Sequence, residues 1–264
     1  MELCKNPFFI WFTGRTGSTF LCDLLHSHPQ IFCRKEQFCE VKIGESTDFP
    51  VDARTFEDVA GTFGRRLFVN DGIIDDPTEE QTLNYLDSIL GRSELACGFK
   101  LKFPMQSLVY PELVERLKSI PNLKVIELVR ENALKQAVSL HNVGRIKNLE
   151  TSKSCNVTEA VELEPLWLDI PATIQFANFF IRSRERFRAF SAGFPNVFPV
   201  HYEQLLNAQE DAIASILEFL EVDSSVELKS QFKKTTPDKL SEAVQNYDEL
   251  KAAVSGTALA DYLD

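Results

Sequence analysis

The 264-residue chain lacks any run of apolar residues close to the roughly 18 that a membrane span needs. Its amino terminus offers only the six apolar residues 7–12 (PFFIWF), with no small-residue cleavage site behind them, so neither stable membrane insertion nor a secretory leader is expected. Cysteine is sparse, with six residues at 4, 22, 33, 39, 97 and 155, no C-x-x-C pair and no dense spacing. That pattern argues against a disulfide framework or a thiolate metal site and fits a reducing, cytoplasmic compartment. Positive charge is in deficit: 28 Lys and Arg against 39 Asp and Glu leave a formal net charge of −11. Nucleic acid and anionic bilayers are thereby excluded as bulk partners, because the mean field repels a polyanion. Histidine occurs only four times, at 26, 28, 141 and 201.

What is present is ordinary for a folded protein: 44% hydrophobic and 25% charged residues, with phenylalanine abundant at 21 copies. No repeat, low-complexity tract or linker is visible, so one domain spanning 1–264 is expected. FFIWFT (8–13) and KVIELV (124–129) read as buried strands, CGFKLK (97–102) and VFPVHY (197–202) as weaker ones, and Pro199 demotes the last to an edge. Leu83, Leu86, Ile89 and Leu90 recur at helical spacing, as do Leu113, Val114, Leu117 and Ile120, and again Ile213, Ile216, Leu217 and Leu220. Strands alternating with helices predict an α/β fold, a parallel sheet flanked by helices. A further helix over 172–192 carries Phe176, Phe180, Phe187 and Phe190 as a core stripe, with Arg182, Arg184, Arg186 and Arg188 expected on a solvated face.

One stretch carries chemistry. A buried strand runs into Gly14-Arg15-Thr16-Gly17-Ser18-Thr19 and then into a helix through Phe20, Leu21, Leu24 and Leu25. Glycines let backbone wrap an anion, a helix start presents free N–H groups, Ser18 and Thr19 add hydroxyls, and Arg15 adds a forked charge. The lysine that would follow the second glycine in G-x-x-x-x-G-K-[ST] is missing, because Ser18 follows Gly17. A metal-dependent nucleotide triphosphatase is therefore disfavoured.

This loop, with arginine inside the turn in the R-[ST]-G-[ST]-T form, resembles the phosphosulfate loop of sulfotransferases that use 3'-phosphoadenosine 5'-phosphosulfate (PAPS). The wording is most similar to bacterial carbohydrate and trehalose-type members. The resemblance implies a P-loop-type three-layer α/β/α sandwich, PAPS as donor, the bisphosphate PAP as product, and no required metal. KVIELVR-ENALKQAVSLH resembles the family's second element, in which a strand ends in Arg130 and Ser139 follows nine residues later to hold the ribose 3'-phosphate. Tyr202 in VHYEQLL (200–206) matches a tyrosine near the nucleotide, and Lys233 or Lys234 stands where a C-terminal segment closes over it, before a helix ending in Asn246-Tyr247. Segments 42–92 and 147–169 match no named element and are expected to shape an acceptor pocket.

In sulfuryl transfer Arg15 is expected to balance charge on the leaving phosphate and the sulfuryl oxygens, with the loop N–H groups, Ser18 and Thr19 helping. A base must take the acceptor proton. Glu36, just after a second strand over 31–33, is the first candidate; Glu40 and His141 stay open as alternatives. Lys100 in G-F-K-L matches a lysine that lines the site in bacterial members. His26 and His28 are expected to be capping or surface groups. The expected activity is transfer to a hydroxyl or amine of a carbohydrate, glycolipid or small alcohol, with a homodimer left open. An atypical kinase and a non-catalytic nucleotide-binding protein are the competing readings.

Overall fold

The computed structural model describes residues 2–42, 63–69, 72–147, 164–232, 237 and 239–264. Contacts divide the chain into two compact units, Met1–Val129 with Glu185–Ser230, and Arg130–Arg184 with Gln231–Asp264.

The first unit is built on a parallel sheet of β1 (Asn6–Phe12), β2 (Ile31–Glu36), β6 (Ala96–Lys102), β7 (Lys124–Val129) and β8 (Asn196–His201), in the order β2-β6-β1-β7-β8. Every residue of β1 and β7 is buried, as expected of strands covered on both faces. Side chains alternate between two cores. Phe9, Trp11, Phe99, Leu101 and Val125 pack with Leu86, Ile89 and Leu90 of α2 (Glu79–Leu90) and Leu113 and Leu117 of α4 (Pro111–Lys118). Phe8, Ile10, Phe12, Ile126 and Leu128 pack with Leu21, Leu24 and Leu25 of α1 (Ser18–His26) and with Leu205, Ile213 and Ile216 of α7 (Tyr202–Asn207) and α8 (Gln209–Phe219). The period-2 alternation of strands thus makes three layers, helices on both faces of a parallel sheet. Proline at 199 sits on β8, at the sheet edge, where its missing N–H costs no ladder bond.

The chain leaves β1 on one side, through α1 and β2, fills the gap with β6, and then crosses β1 to lay down β7. The strand order therefore reverses at β1, and the crevice beyond its carboxyl end is where such sheets bind ligands. Three further strands form an antiparallel sheet: β3 (Phe38–Lys42), β4 (Phe63–Val69) and β5 (Gly72–Asp75), anchored by Phe38 and Leu67 in the core. None of these was legible in the sequence. Of segment 42–92 the described part is strand and helix; of 147–169 only Lys147 and residues 164–169 are described.

The second unit gathers α5 (Ala133–Lys147), the first part of α6 (Ile170–Ser191), α9 (Leu240–Ala243), α10 (Tyr247–Val254) and a 3-10 turn (Ala258–Tyr262), with α3 (Met105–Val109) belonging to the first. Its core joins Leu134, Ala137, Val138, Ala177, Phe180, Leu250 and Leu259. The phenylalanine stripe of α6 serves both cores, Phe180 here and Phe187 in the sheet unit, whereas Phe190 is 39% exposed and lies at the margin against Trp11 and Phe103. Asn246-Tyr247 does not end a helix: Asn246 precedes α10 and bonds Leu168 through both N–H and C=O, 2.9 and 3.1 Å.

Candidate functional site

β1 ends at Phe12, and the next six residues make a loop whose shape the sequence dictates. Thr16 Oγ1 donates to the Thr13 carbonyl at 2.9 Å and closes it. Arg15 takes φ 65° and Gly17 φ 77°. A left-handed arginine costs about 1–2 kcal/mol, the kind of strain that accompanies functional turns. Gly17 is the N-cap of α1 and supplies no side chain to the helix N–H groups. It is also the one loop position with no room: a Cβ there would lie 2.8 Å from Cδ2 and Cε2 of Tyr202, whereas one at Gly14 would meet nothing within 4 Å. The close approach places the Tyr202 ring against the loop.

Strand pairing brings the next group in. Ile10 and Glu36 both register with Lys100, the second after an irregularity between Arg34 and Glu36 that skips Lys35. Here β2 extends through Glu36 itself, beyond the 31–33 expected from sequence. The Lys100 ammonium, 4% exposed, lies 3.3 Å from Ser18 Oγ, 2.7 Å from Thr19 Oγ1 and 3.0 Å from Glu36 Oε1, and 5.0 Å from the centroid of the Phe12 ring. An ammonium only donates, so both hydroxyls accept from it, and their own hydrogens are left to point at a third group. One side chain thus ties loop and carboxylate together.

Beyond it lies a second pair. Lys102 forms an ion pair with Glu40, and the buried Gln106 amide donates to Glu40 Oε2 at 3.1 Å while its oxygen accepts from the Lys102 N–H at 2.7 Å. That backbone donor fixes the amide orientation, leaving the NH₂ to face the carboxylates of Glu40 and Glu36. Burial alone would raise the Glu36 carboxyl, but Lys100 and Lys102, with hydrogen bonds from Lys100 and Gln106, outweigh it and hold it below the usual glutamate range. Burial would lower Lys102, and Glu40 and Glu36 hold it above the usual lysine range instead. The Cys39 thiol beside them is pushed up to about 12 by burial and by the two carboxylates.

In the second unit Arg130 and Ser139 are both buried, Arg130 in the turn after β7 and Ser139 inside α5. Asn132 Oδ1 accepts from Lys135 N at 2.8 Å and caps the helix, so α5 starts at Ala133. His141 packs edge-on to Phe176 and lies 3.1 Å from Thr173 Oγ1. Thr173 gives its hydrogen to the Asp169 carbonyl at 2.7 Å, so His141 is the donor through Nε2. Burial, opposed by Asp169, lowers its pKa. His28 is buried, not superficial: Nδ1 accepts from Gln30 N at 3.0 Å and Nε2 donates to the Asp223 carbonyl at 2.9 Å. Lys233 and Lys234 lie outside the described residues. Arg184 departs from the expected solvated row and is taken up below; it and Gln106 carried no local sequence signal, since each works through partners distant in sequence.

A parallel α/β sheet with a glycine loop and an uncapped helix start at its reversal point is the arrangement in which α/β proteins hold anions. The profile of the sulfotransferase family matches residues 7–225, and the chain belongs to that family. Among solved structures, a sulfotransferase from Alicyclobacillus acidocaldarius is 16% identical over 99% of both chains with a TM-score of 0.51, and shares the fold. The sulfotransferase domain from the curacin biosynthetic pathway is 15% identical over 84% of this chain and 76% of its own, with a TM-score of 0.47. No curated protein matches the chain in sequence. Among the described residues no helix is long and apolar enough to cross a membrane.

Proposed function

We propose that the protein transfers a sulfuryl group from PAPS to a hydroxyl or amine of a small-molecule or glycan acceptor, a carbohydrate, glycolipid or small alcohol, in the cytoplasm, releasing PAP. The observation that carries this reading is the triple contact of Lys100 with Ser18, Thr19 and Glu36, which joins an anion loop to a carboxylate able to take a proton. What supports a phosphosulfate at the loop is a helix start with no side-chain cap and two hydroxyls that accept from Lys100 and keep their own hydrogens to donate.

In this reading Gly14, Arg15, Thr16, Gly17, Ser18 and Thr19 hold the phosphosulfate, Arg130 and Ser139 the ribose 3'-phosphate, and Tyr202 braces the loop through Gly17; the resemblance also assigns Lys234 to the nucleotide. The donor supplies an activated sulfur whose bond to the phosphate oxygen breaks as the acceptor oxygen or nitrogen bonds to it. Glu36 takes the acceptor proton, its ionised form secured at neutral pH by Lys100 and Lys102. Arg15 and Lys100 balance the charge on the leaving phosphate and on the sulfuryl oxygens, a role that asks for no metal. Glu40 is the weaker base candidate, because the Lys102 ion pair and the Gln106 bond occupy both its oxygens.

Calorimetry tests the donor. PAP is expected to bind in the nanomolar to micromolar range and to lose affinity in Arg15→Ala, whereas a preference for Mg-ATP would overturn the reading. A screen of sugars, lipids and phenols with labelled PAPS, run beside Glu36→Gln, then identifies acceptor and base together; full turnover by Glu36→Gln would remove Glu36 from its role.

A further inference from the structure

Of the arginines on α6, Arg182, Arg186 and Arg188 are exposed, and Arg184 is only 13% exposed. Its guanidinium is spent on a single turn. Nη1 donates to the carbonyls of Arg130 at 3.2 Å and Glu131 at 2.9 Å and to Glu131 Oε2 at 2.8 Å, while Nη2 donates to the hydroxyl of Tyr262 at 3.0 Å. Sheet pairing ends at Val129, so these two carbonyls lie past the ladder and receive their donors from this side chain. The same turn is held from its other side: the Tyr262 carbonyl accepts from Asn132 Nδ2 at 2.8 Å, and Asn132 caps α5. Asp264 ties down further the C-terminal strap that the 3-10 turn begins, residues 258–264, pairing with Lys135 at 3.2 Å and accepting from Ser241 N at 2.8 Å.

A planar fork that spans two successive carbonyls and a phenol is a task for arginine and not for lysine. Because Glu131 sits against it, Arg184 brings geometry more than net charge. We propose that Arg184, braced by Tyr262, is a positioning residue: it fixes the peptide planes from which the Arg130 side chain departs and α5 begins. It thereby sets the preference for a nucleotide bearing a 3'-phosphate. The inference rests on the assignment of that phosphate to Arg130 and Ser139 made above.

Calorimetry with PAP and with 5'-AMP, which lacks the 3'-phosphate, tests it on the full chain. Arg184→Lys keeps the charge and loses the fork, and is expected to weaken PAP about 10-fold while leaving 5'-AMP within about twofold. Tyr262→Phe removes one oxygen and is expected to weaken PAP about threefold with the same indifference of 5'-AMP; it carries the test if Arg184→Lys fails to fold. PAP affinity unchanged in the folded variants, or an equal loss for both nucleotides, overturns the proposal. The underlying assignment fails differently: wild-type protein would then bind PAP no better than 5'-AMP, and Arg130→Ala would change neither. If wild type prefers PAP and Arg130→Ala abolishes the preference while the Arg184 and Tyr262 variants keep it, only the positioning role is lost.

Discussion

Two parallel strands of this protein run through a short turn into a helix, and the two turns are finished in opposite ways. After β1, Gly17 caps α1 with no side chain, and the loop holds Arg15 in a left-handed conformation. After β7, Asn132 caps α5 with its own oxygen, and Arg184 closes the preceding carbonyls. The first turn can hold an anion through its backbone, because the helix start still has donors and a positive end to offer. In the second those donors are partly used up internally, so the proposed phosphate there would be met by side chains, Arg130 and Ser139. The same strand–turn–helix unit thus keeps or spends its helix-start donors according to one capping residue.

The largest expected effect breaks the first turn. Gly17→Ala puts a Cβ 2.8 Å from the Tyr202 ring on a residue held at φ 77°. The left-handed strain of about 1–2 kcal/mol and overpacking of about 1–3 kcal/mol combine to cost about 3 kcal/mol of stability. PAP affinity is expected to fall by about 100-fold as the loop N–H groups move, each charge-assisted bond being worth about 1.5–3 kcal/mol. Gly14→Ala, where a Cβ meets nothing within 4 Å, should stay within about tenfold in the same urea and calorimetry experiments. Equal losses at the two glycines would mean that close approach to Tyr202 does not shape the loop.

This contrast also explains what could be read from sequence. The first turn was legible because everything it needs is local: two glycines, an arginine and two hydroxyls within the six residues 14–19. Arg130 and Ser139 were singled out through their wording, but the capped start at Asn132 was not. Glu36 and Lys100 were named separately, and only the register of β2 and β6 shows that they touch. Arg184 was mistaken for a surface charge because its acceptors lie 53 and 54 residues away along the chain and its phenol partner 78. The Gln106 bond to Glu40, 66 residues away, and the pairing of β3 with β4 were missed for the same reason: a long-range partner leaves no period behind.

A middle-sized effect sharpens the second half of the comparison. Asn132→Ala removes the α5 cap and should cost about 1 kcal/mol in urea unfolding. It also cuts the Asn132 bond to the Tyr262 carbonyl, so PAP affinity is expected to drop a few-fold while Gly14, Gly17 and the α1 start are unaffected, as 5'-AMP affinity would report. Asn132→Asp keeps the capping oxygen and should recover the stability, because a carboxylate also suits a helix N-terminus. It should not recover the PAP affinity, since a carboxylate cannot donate to Tyr262 and repels a phosphate. Joint recovery of both would show that the cap alone, and not the strap, governs the turn.

The smallest effect separates the two units by pH. His141, in the unit of the second turn, has its pKa lowered by burial, so the unfolded chain binds the proton more readily. Its contribution to stability is complete above the ordinary histidine range and is lost as pH falls from there through the folded value. Glu36, beside the first turn, is lowered for the opposite reason: burial opposes its charge, and Lys100 and Lys102 overcome it. Its contribution is complete above the ordinary glutamate range and is lost only as pH falls further, through its own folded value. Acid should therefore weaken the protein in two successive steps. Unfolding free energies measured across the two ranges should show the upper step vanish in His141→Gln with the lower intact, and the lower step shrink in Glu36→Gln with the upper intact. A lower step that survives Glu36→Gln unchanged would mean that the Lys100 and Lys102 pairing leaves the Glu36 carboxylate energetically indifferent, and that the β2–β6 register does not keep it ionised.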